Sequence, residues 1–137
     1  GDGLTTGLAQ IADDLFADAG AGPEEMDVIS VYDDYPAMAL AQLVDLGYVP
    51  DGDLARFLRE RIDEGRLPVN TSGGQLSAGQ AGTAGGTIGL VESVAQLLGQ
   101  AGDRQVEGAR LALVTGYGMV LYRYGGCANA IVLEAPS

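Results

Sequence analysis

The sequence predicts an α/β domain built on a mixed β-sheet, and three observations carry that expectation. Apolar residues recur at helical spacing in several separated stretches, and short β-branched runs lie between and after them. The last two of those runs follow one another with no helical pattern between them. The order helix, strand, helix, helix, loop, helix, strand, strand therefore makes the final pair antiparallel neighbours in a sheet layered with helices.

Each element has its own signal. Leu4, Leu8, Ile11 and Leu15 fall on one helical face, and Gly20 with the following "AGPEE" closes that helix. "MDVISVY", Met26 to Tyr32, reads as a buried strand that ends at "DDYP". Ala37 to Leu46 is helical in pattern and stops at Gly47. After "PDGD", Leu54, Phe57, Leu58 and Ile62 lie opposite Arg56, Arg59, Glu60 and Asp63, the pattern of an amphipathic helix. Beyond a glycine-rich segment, Ala84, Ile88, Val91, Ala95 and Leu98 predict a helix from about Gly82 to Leu98. Ala109 to Gly118 and Ala128 to Glu134 are the final strands, joined by a Tyr- and Gly-rich connection, Met119 to Cys127.

With 137 residues the chain is one domain's worth, 1–137, long enough to bury a core without disulfides or metals. The balance is acidic, 19 Asp and Glu against 7 Arg, giving a formal charge of −12, so nucleic acid is excluded as an expected partner. There is no Lys and no His. Imidazole bases, His metal ligands and Lys Schiff bases are therefore unavailable, and acid–base work falls to Asp, Glu, Tyr or Cys. The single Cys127 allows neither an internal disulfide nor a thiolate zinc cage, which points to a reducing, cytoplasmic setting. No run approaches a membrane span, and no signal peptide or membrane partner is expected. The chain opens on "GDGL" rather than Met, so a piece of something longer is expected.

Three stretches are candidates for chemistry. "NTSGGQLSAGQAGTAGG", Asn70 to Gly86, places closely spaced glycines ahead of a helix, which suits either an anion cradle or a turn that lets the helix pack closely. A nucleotide loop is disfavoured, because no Lys-Ser/Thr follows the last glycine and "GRLPVN" is not the strand a dinucleotide fingerprint requires. "VYDDYP" sets Tyr32, Asp33, Asp34 and Tyr35 where a strand leaves the core; acidic residues there either serve a site or cap the next helix. Tyr122 and Tyr124 around "LYRYGGC" are further phenols, and on pattern alone they, like Cys127, read more simply as packing residues.

Taken together, "DVISVYDDY", "RLPVNTSGGQLSAGQAG", "GLVESVAQLLGQAGDRQV" and "ANAIVLE" resemble the C-terminal half of the thiolase superfamily, above all the sterol-carrier-protein-type thiolases and the thiolase-like aldolases. The resemblance covers nearly the whole chain. It implies one half of a layered αβαβα sandwich that begins after the half's first strand. The N-terminal half, which in thiolases carries the nucleophilic Cys, would belong to the same or a separate chain.

The family's residues carry over one at a time. Where thiolases have Asn-Glu-Ala-Phe, or His-Asp-Cys-Phe in the sterol-carrier type, this chain has Tyr32-Asp33-Asp34-Tyr35, so Tyr32 stands at the oxyanion-hole position. Where they have Gly-His-Pro, it has Gly79-Gln80-Ala81; an amide donates a hydrogen bond but takes no proton. At the place of the second catalytic Cys stands Tyr122, with Cys127 five residues later, and a short indel would bring Cys127 there instead. Asn70, Gly73, Gly74, Gly79 and Gly118 would line the thioester pocket.

The resemblance therefore implies an acyl-CoA enzyme with no cofactor beyond the coenzyme A thioester of its substrate. The preferred expectation is retro-aldol cleavage of a β-hydroxyacyl-CoA such as a steroid side chain, with Tyr32 and Tyr122 or Tyr124 moving protons and Gln80 donating. An unperturbed phenol titrates near pH ~10, so a Tyr base needs nearby donors or a helix N-terminus. The alternatives are acyl transfer with Cys127 as the second thiol, and a non-catalytic half that completes a partner's fold. Homo-oligomerisation and a small OB-fold and zinc-ribbon partner are also implied.

Overall fold

A computed structural model describes residues 3–80, 82–121 and 124–137. Among them, β1 (Val28–Ser30), β2 (Leu111–Leu121) and β3 (Tyr124–Glu134) form one mixed sheet in that order. β1 and β2 are parallel, with Ile29 opposite Leu113; β2 and β3 are antiparallel, with Val114 opposite Ile131. On the other side of β1, Val69 makes a parallel bridge to Ile29. There Ile29 N–H donates to Pro68 O at 2.9 Å and Asn70 N–H donates to Ile29 O at 2.8 Å. The start of the glycine-rich segment is thus the edge of the sheet.

Strand alternation sorts side chains into two layers. Ile29, Val31, Leu113, Ala128, Ala130 and Val132 face α1 (Ala12–Ala19), α2 (Pro36–Asp45) and α3 (Leu54–Phe57), together with the 3-10 turn Gly7–Gln10. Leu8, Leu43, Leu46 and Phe57 fill the core between these helices and the sheet. Val28, Ala112 and Leu133 face the opposite way, towards α5 (Ile88–Leu97). The short α4 (Gly74–Ala78) lies inside the glycine-rich segment.

The predicted α/β mixed sheet forms, with local departures. The first helix does not start at Leu4. Thr6 Oγ1 accepts from Leu8 N–H at 3.1 Å and opens a 3-10 turn, and α1 begins only at Ala12. Gly7 permits this because a β-carbon there would lie 2.8 Å from that of Ala128 on β3. The helix after "PDGD" starts where Asp53 Oδ1 accepts Arg56 N–H at 2.9 Å, and continues as a π-helix over Leu58–Asp63. The helix expected from Gly82 opens as a 3-10 segment, Gly82–Thr87, and becomes α-helical at Ile88.

The segment Met119 to Cys127, expected as a connection, is largely strand. Gly118 pairs with Cys127, Val120 with Gly125 and Leu121 with Tyr124. Cross-strand pairing outweighs the poor strand preference of its glycines, so the hairpin is longer than the sequence pattern shows. No helix among the described residues is long and apolar enough to cross a membrane.

Candidate active site

The glycine-rich segment is pinned across the end of β1 by its first residue. Asn70 adopts φ 50°, a left-handed conformation that Asn tolerates better than most side chains. Its Oδ1 accepts Val31 N–H at 2.8 Å, and its backbone oxygen accepts Gly73 N–H at 2.7 Å. Asp33, only 6% exposed, turns into the same segment and accepts Gln75 N–H at 2.8 Å in the first turn of α4. Gly74 has to be glycine, because a β-carbon there would overlap the Asp33 carboxylate. Asp33 therefore does cap a helix, but α4 rather than α2, which instead begins with Pro36 and has no side-chain cap.

Tyr32 leaves the strand between these anchors. Ser30 Oγ lies 3.0 Å from Ser93 Oγ on α5, so alternation puts Tyr32 on the α5 side as well. Its backbone is held by a buried network. Tyr32 N–H donates to Thr115 Oγ1 at 3.2 Å, Gln42 Nε2 donates to Tyr32 O at 2.6 Å, and Thr115 Oγ1 donates to Gln42 Oε1 at 2.6 Å. Its half-buried side chain meets Gln80, the residue that follows Gly79 at φ 110°. Gln80 Nε2 lies 3.4 Å from Tyr32 Oη and donates to Asp34 Oδ1 at 2.6 Å. The structure thus brings together Tyr32 and Gln80, which lie 48 positions apart, and adds Asp34.

A polar seam holds α5 behind this group. Glu92, 4% exposed, accepts from Thr71 Oγ1 at 2.8 Å, from Gln96 Nε2 at 3.1 Å and from Arg104 Nε and Nη2 at 3.1 and 2.8 Å. The Arg104 guanidinium holds the Glu92 carboxyl below the usual glutamate range, and the Thr71 and Gln96 bonds help against the opposing effect of burial. Gln96 Oε1 in turn accepts Val106 N–H at 2.8 Å. Through Thr71, this seam fixes the residue that follows Asn70.

The other expected site residues lie at the same end of the sheet or outside the described residues. Cys127 is exposed on β3 opposite Gly118. Because Ala128 and Ala130 face the α1–α3 layer, Cys127 faces the α5 side, as Tyr32 does. Gly73 at φ 87° precedes α4. Tyr122 lies outside the described residues; Tyr124 is described only through its backbone pairing with Leu121.

One small hollow adjoins the group. A narrow cleft of about 10 Å³, room for roughly one water, is bounded by Tyr32, Asp33, Asn70, Gln75, Gly85 and Gly86. Gln75 Oε1, buried and without a hydrogen-bond partner among the described residues, faces Gly85 there. A separate cavity of about 410 Å³ lies on the α2 side of the sheet and is lined mainly by Leu4, Thr6, Tyr35, Met38, Ala41 and Tyr117, none of them part of the Tyr32–Gln80 group.

The structure gathers Tyr32, Gln80 and Asn70 at the end of β1 and puts Asp34, which the sequence left open between serving a site and capping a helix, on the Gln80 amide. It adds Gln42, Thr115, Glu92 and Gln96, which no sequence pattern singled out. Those residues look like ordinary solvent-facing positions until the fold buries them. A phenol, an amide donor and a carboxylate, with no imidazole in the chain, can move a proton and meet a developing oxyanion.

A helix-layered mixed sheet, crossed at the end of β1 by a glycine-rich segment beside Tyr32, defines a thiolase-like C-terminal domain. Residues 1–127 match the family model described as "Thiolase C-terminal domain-like", and the chain belongs to that family. It is 36% identical over 110 residues to the acetyl-CoA acetyltransferase of Methanothermobacter thermautotrophicus, covering 78% of this chain and 28% of the relative. It is 35% identical over 116 residues to the 17-hydroxy-3-oxo-4-pregnene-20-carboxyl-CoA lyase of Mycobacterium tuberculosis, covering 83% of this chain and 29% of the relative. Among solved structures, the Ltp2-ChsH2(DUF35) aldolase superposes with a TM-score of 0.75 at 28% identity, over 93% of this chain and 31% of that one. The chain therefore spans under a third of the length of each of these relatives.

Proposed function

We propose that this chain is the C-terminal part of a thiolase-like carbon–carbon lyase that cleaves a β-hydroxyacyl-CoA by a retro-aldol reaction. The observation that carries the reading is Tyr32 Oη beside the Gln80 amide, where a thiolase keeps its activating imidazole, in a chain with no His. A base takes the β-hydroxyl proton, the Cα–Cβ bond breaks as the carbonyl product forms, and the electron pair passes to the thioester as an enolate. Protonation at Cα then releases the shortened acyl-CoA. No acyl-enzyme and no further cofactor is needed.

In this reading Tyr32 carries one proton and Tyr122 or Tyr124 the other. Gln80 donates hydrogen bonds to the Tyr32 oxygen and to the thioester oxygen. Asn70, Gly73, Gly74, Gly79 and Gly118 shape the thioester pocket. Similarity to the 17-hydroxy-3-oxo-4-pregnene-20-carboxyl-CoA lyase makes a steroid side chain the substrate of first choice.

The N-terminal half and the first strand of this half come from residues outside the 137. The apolar side of α5, with Val91 67% exposed, supports such a partner. Homo-oligomerisation, an OB-fold and zinc-ribbon companion and a cytoplasmic setting belong to the same proposal, and the likeness to the Ltp2-ChsH2(DUF35) aldolase supports a companion subunit.

Acyl transfer is the second reading. It rests on the acetyltransferase relative and on Cys127 sharing the face and sheet end of Tyr32. One experiment separates the two. In the assembled protein, Tyr32→Phe is expected to lower kcat for β-hydroxyacyl-CoA cleavage by about 100-fold or more, the scale of a lost proton-transfer group. Cys127→Ala is expected to leave cleavage intact. Unchanged cleavage in Tyr32→Phe sinks the lyase reading; acyl transfer that disappears with Cys127 replaces it.

A further inference from the structure

The retro-aldol scheme uses Tyr32 and Gln80 and leaves Asp34 without a task, yet Asp34 makes the shortest contact of the three groups. Gln80 Nε2 is 2.6 Å from Asp34 Oδ1 and 3.4 Å from Tyr32 Oη. A carboxylate only accepts hydrogen bonds, so the end of the Gln80 amide facing Asp34 has to be the NH2 group. That nitrogen carries a second hydrogen, and the oxygen within its reach is the Tyr32 phenol. Its 3.4 Å separation leaves room for the N–H to be shared with a substrate oxygen arriving beside the phenol.

Without a carboxylate at this place the amide has a competing orientation. Turned over, it presents Oε1 to Tyr32, accepts the phenol O–H and ties up the proton that has to move. It also puts an amide oxygen where the enolate oxygen develops negative charge. Asp34 disfavours that state because two acceptor oxygens would then face each other. Asp33 does not take part: it is buried and committed to Gln75 N–H.

We infer that Asp34 is a positioning residue that, by accepting one Gln80 N–H, fixes the amide with its other N–H shared between the Tyr32 oxygen and the thioester oxygen. The inference rests on the reading of Tyr32 and Gln80 given above and goes beyond it in assigning the adjacent carboxylate.

The test is a double-mutant cycle on the assembled protein, with kcat and KM measured for cleavage of a β-hydroxyacyl-CoA. Asp34→Ala is expected to lower kcat about tenfold or more with KM within about twofold, as for an interaction made only in the transition state. Asp34→Ala combined with Gln80→Ala is expected to be no worse than Gln80→Ala alone, because Asp34 acts through that amide. Asp34→Asn is expected to fall between, since its carbonyl still accepts the Gln80 N–H but its own amide permits the reversed pair. Multiplicative losses in the double variant, or an Asp34→Asn more damaging than Gln80→Ala, overturn the inference by making Asp34 act on its own. An inert Asp34→Ala beside a disabling Tyr32→Phe overturns it too, while an inert Tyr32→Phe removes the underlying reading of the site.

Discussion

Glu92 has four hydrogen bonds, two of them from the Arg104 guanidinium, on a carboxylate that α5 turns inward, and Thr71, one of its partners, adjoins the residue that clamps β1. Glu92→Gln keeps the shape and loses the charge, so it is expected to cost about 1–2 kcal/mol near neutral pH. The sign with pH follows from the direction of the shift. A carboxyl held below its unfolded range contributes stability above about pH 4.3, and that contribution is lost as pH falls through the folded value. Thermal unfolding of wild type and Glu92→Gln from pH 7 down to pH 3 is expected to show their difference shrinking with acidity; a difference constant with pH removes the charge from the explanation. Nothing in the sequence marked Glu92, because a lone Glu on a helix is normally a solvated face. Tyr32 and Gln80 were legible because they stand where a family motif carries other residues. Asp34 stands in the same motif, but its contact with Gln80 appears only once the chain folds.

At the scale of elements, α5 lies unusually close to the sheet, and Gly89 is the reason. A β-carbon there would be 2.8 Å from Ser30 Cβ, which is fixed on β1, and in ordinary contact with Val114 Cγ1 at 3.6 Å. Ala at this position gains about 1 kcal/mol of helix propensity. Overpacking against β1 costs about 1–3 kcal/mol and stretches the Ser30–Ser93 bond. Gly89→Ala is thus expected to lower the melting temperature, and Gly89→Val to lower it further. A stabilised Gly89→Ala would mean that α5 has room to spare. The sequence announced this helix by its apolar period and the final strands by their β-branched runs, so element order was legible. The hairpin's length was not, because strand pairing across Gly118 and Gly125 comes from the partner strand rather than from local preference. The 3-10 starts before α1 and α5 were hidden for a similar reason: contacts with distant residues, such as Gly7 against Ala128, decide where they begin.

At the scale of the whole molecule, α5 is turned the opposite way to an ordinary surface helix. Its polar residues Glu92, Ser93 and Gln96 are buried, whereas Val91 is 67% and Leu98 47% exposed, with Leu90 and Val94 beside them. An amphipathic helix normally does the reverse, because burying apolar surface drives folding. The arrangement makes sense if α5 is an inner helix of a larger assembly, with its polar side tied to this sheet and its apolar side covered by the proposed N-terminal half. The coverage of each relative, under a third of its length, leaves ample chain for that role. Replacing Val91 and Leu98 by Asp tests the idea through opposite signs in two settings. In the isolated 137-residue chain the double change removes an exposed apolar patch and is expected to raise solubility. In the assembled protein the same change places charge in a buried seam and forgoes about 1.5–3 kcal/mol per apolar side chain, so the assembly is expected to melt earlier and lose activity. If both settings respond alike, or the assembly is indifferent, the outward face of α5 is plain surface and covers no partner.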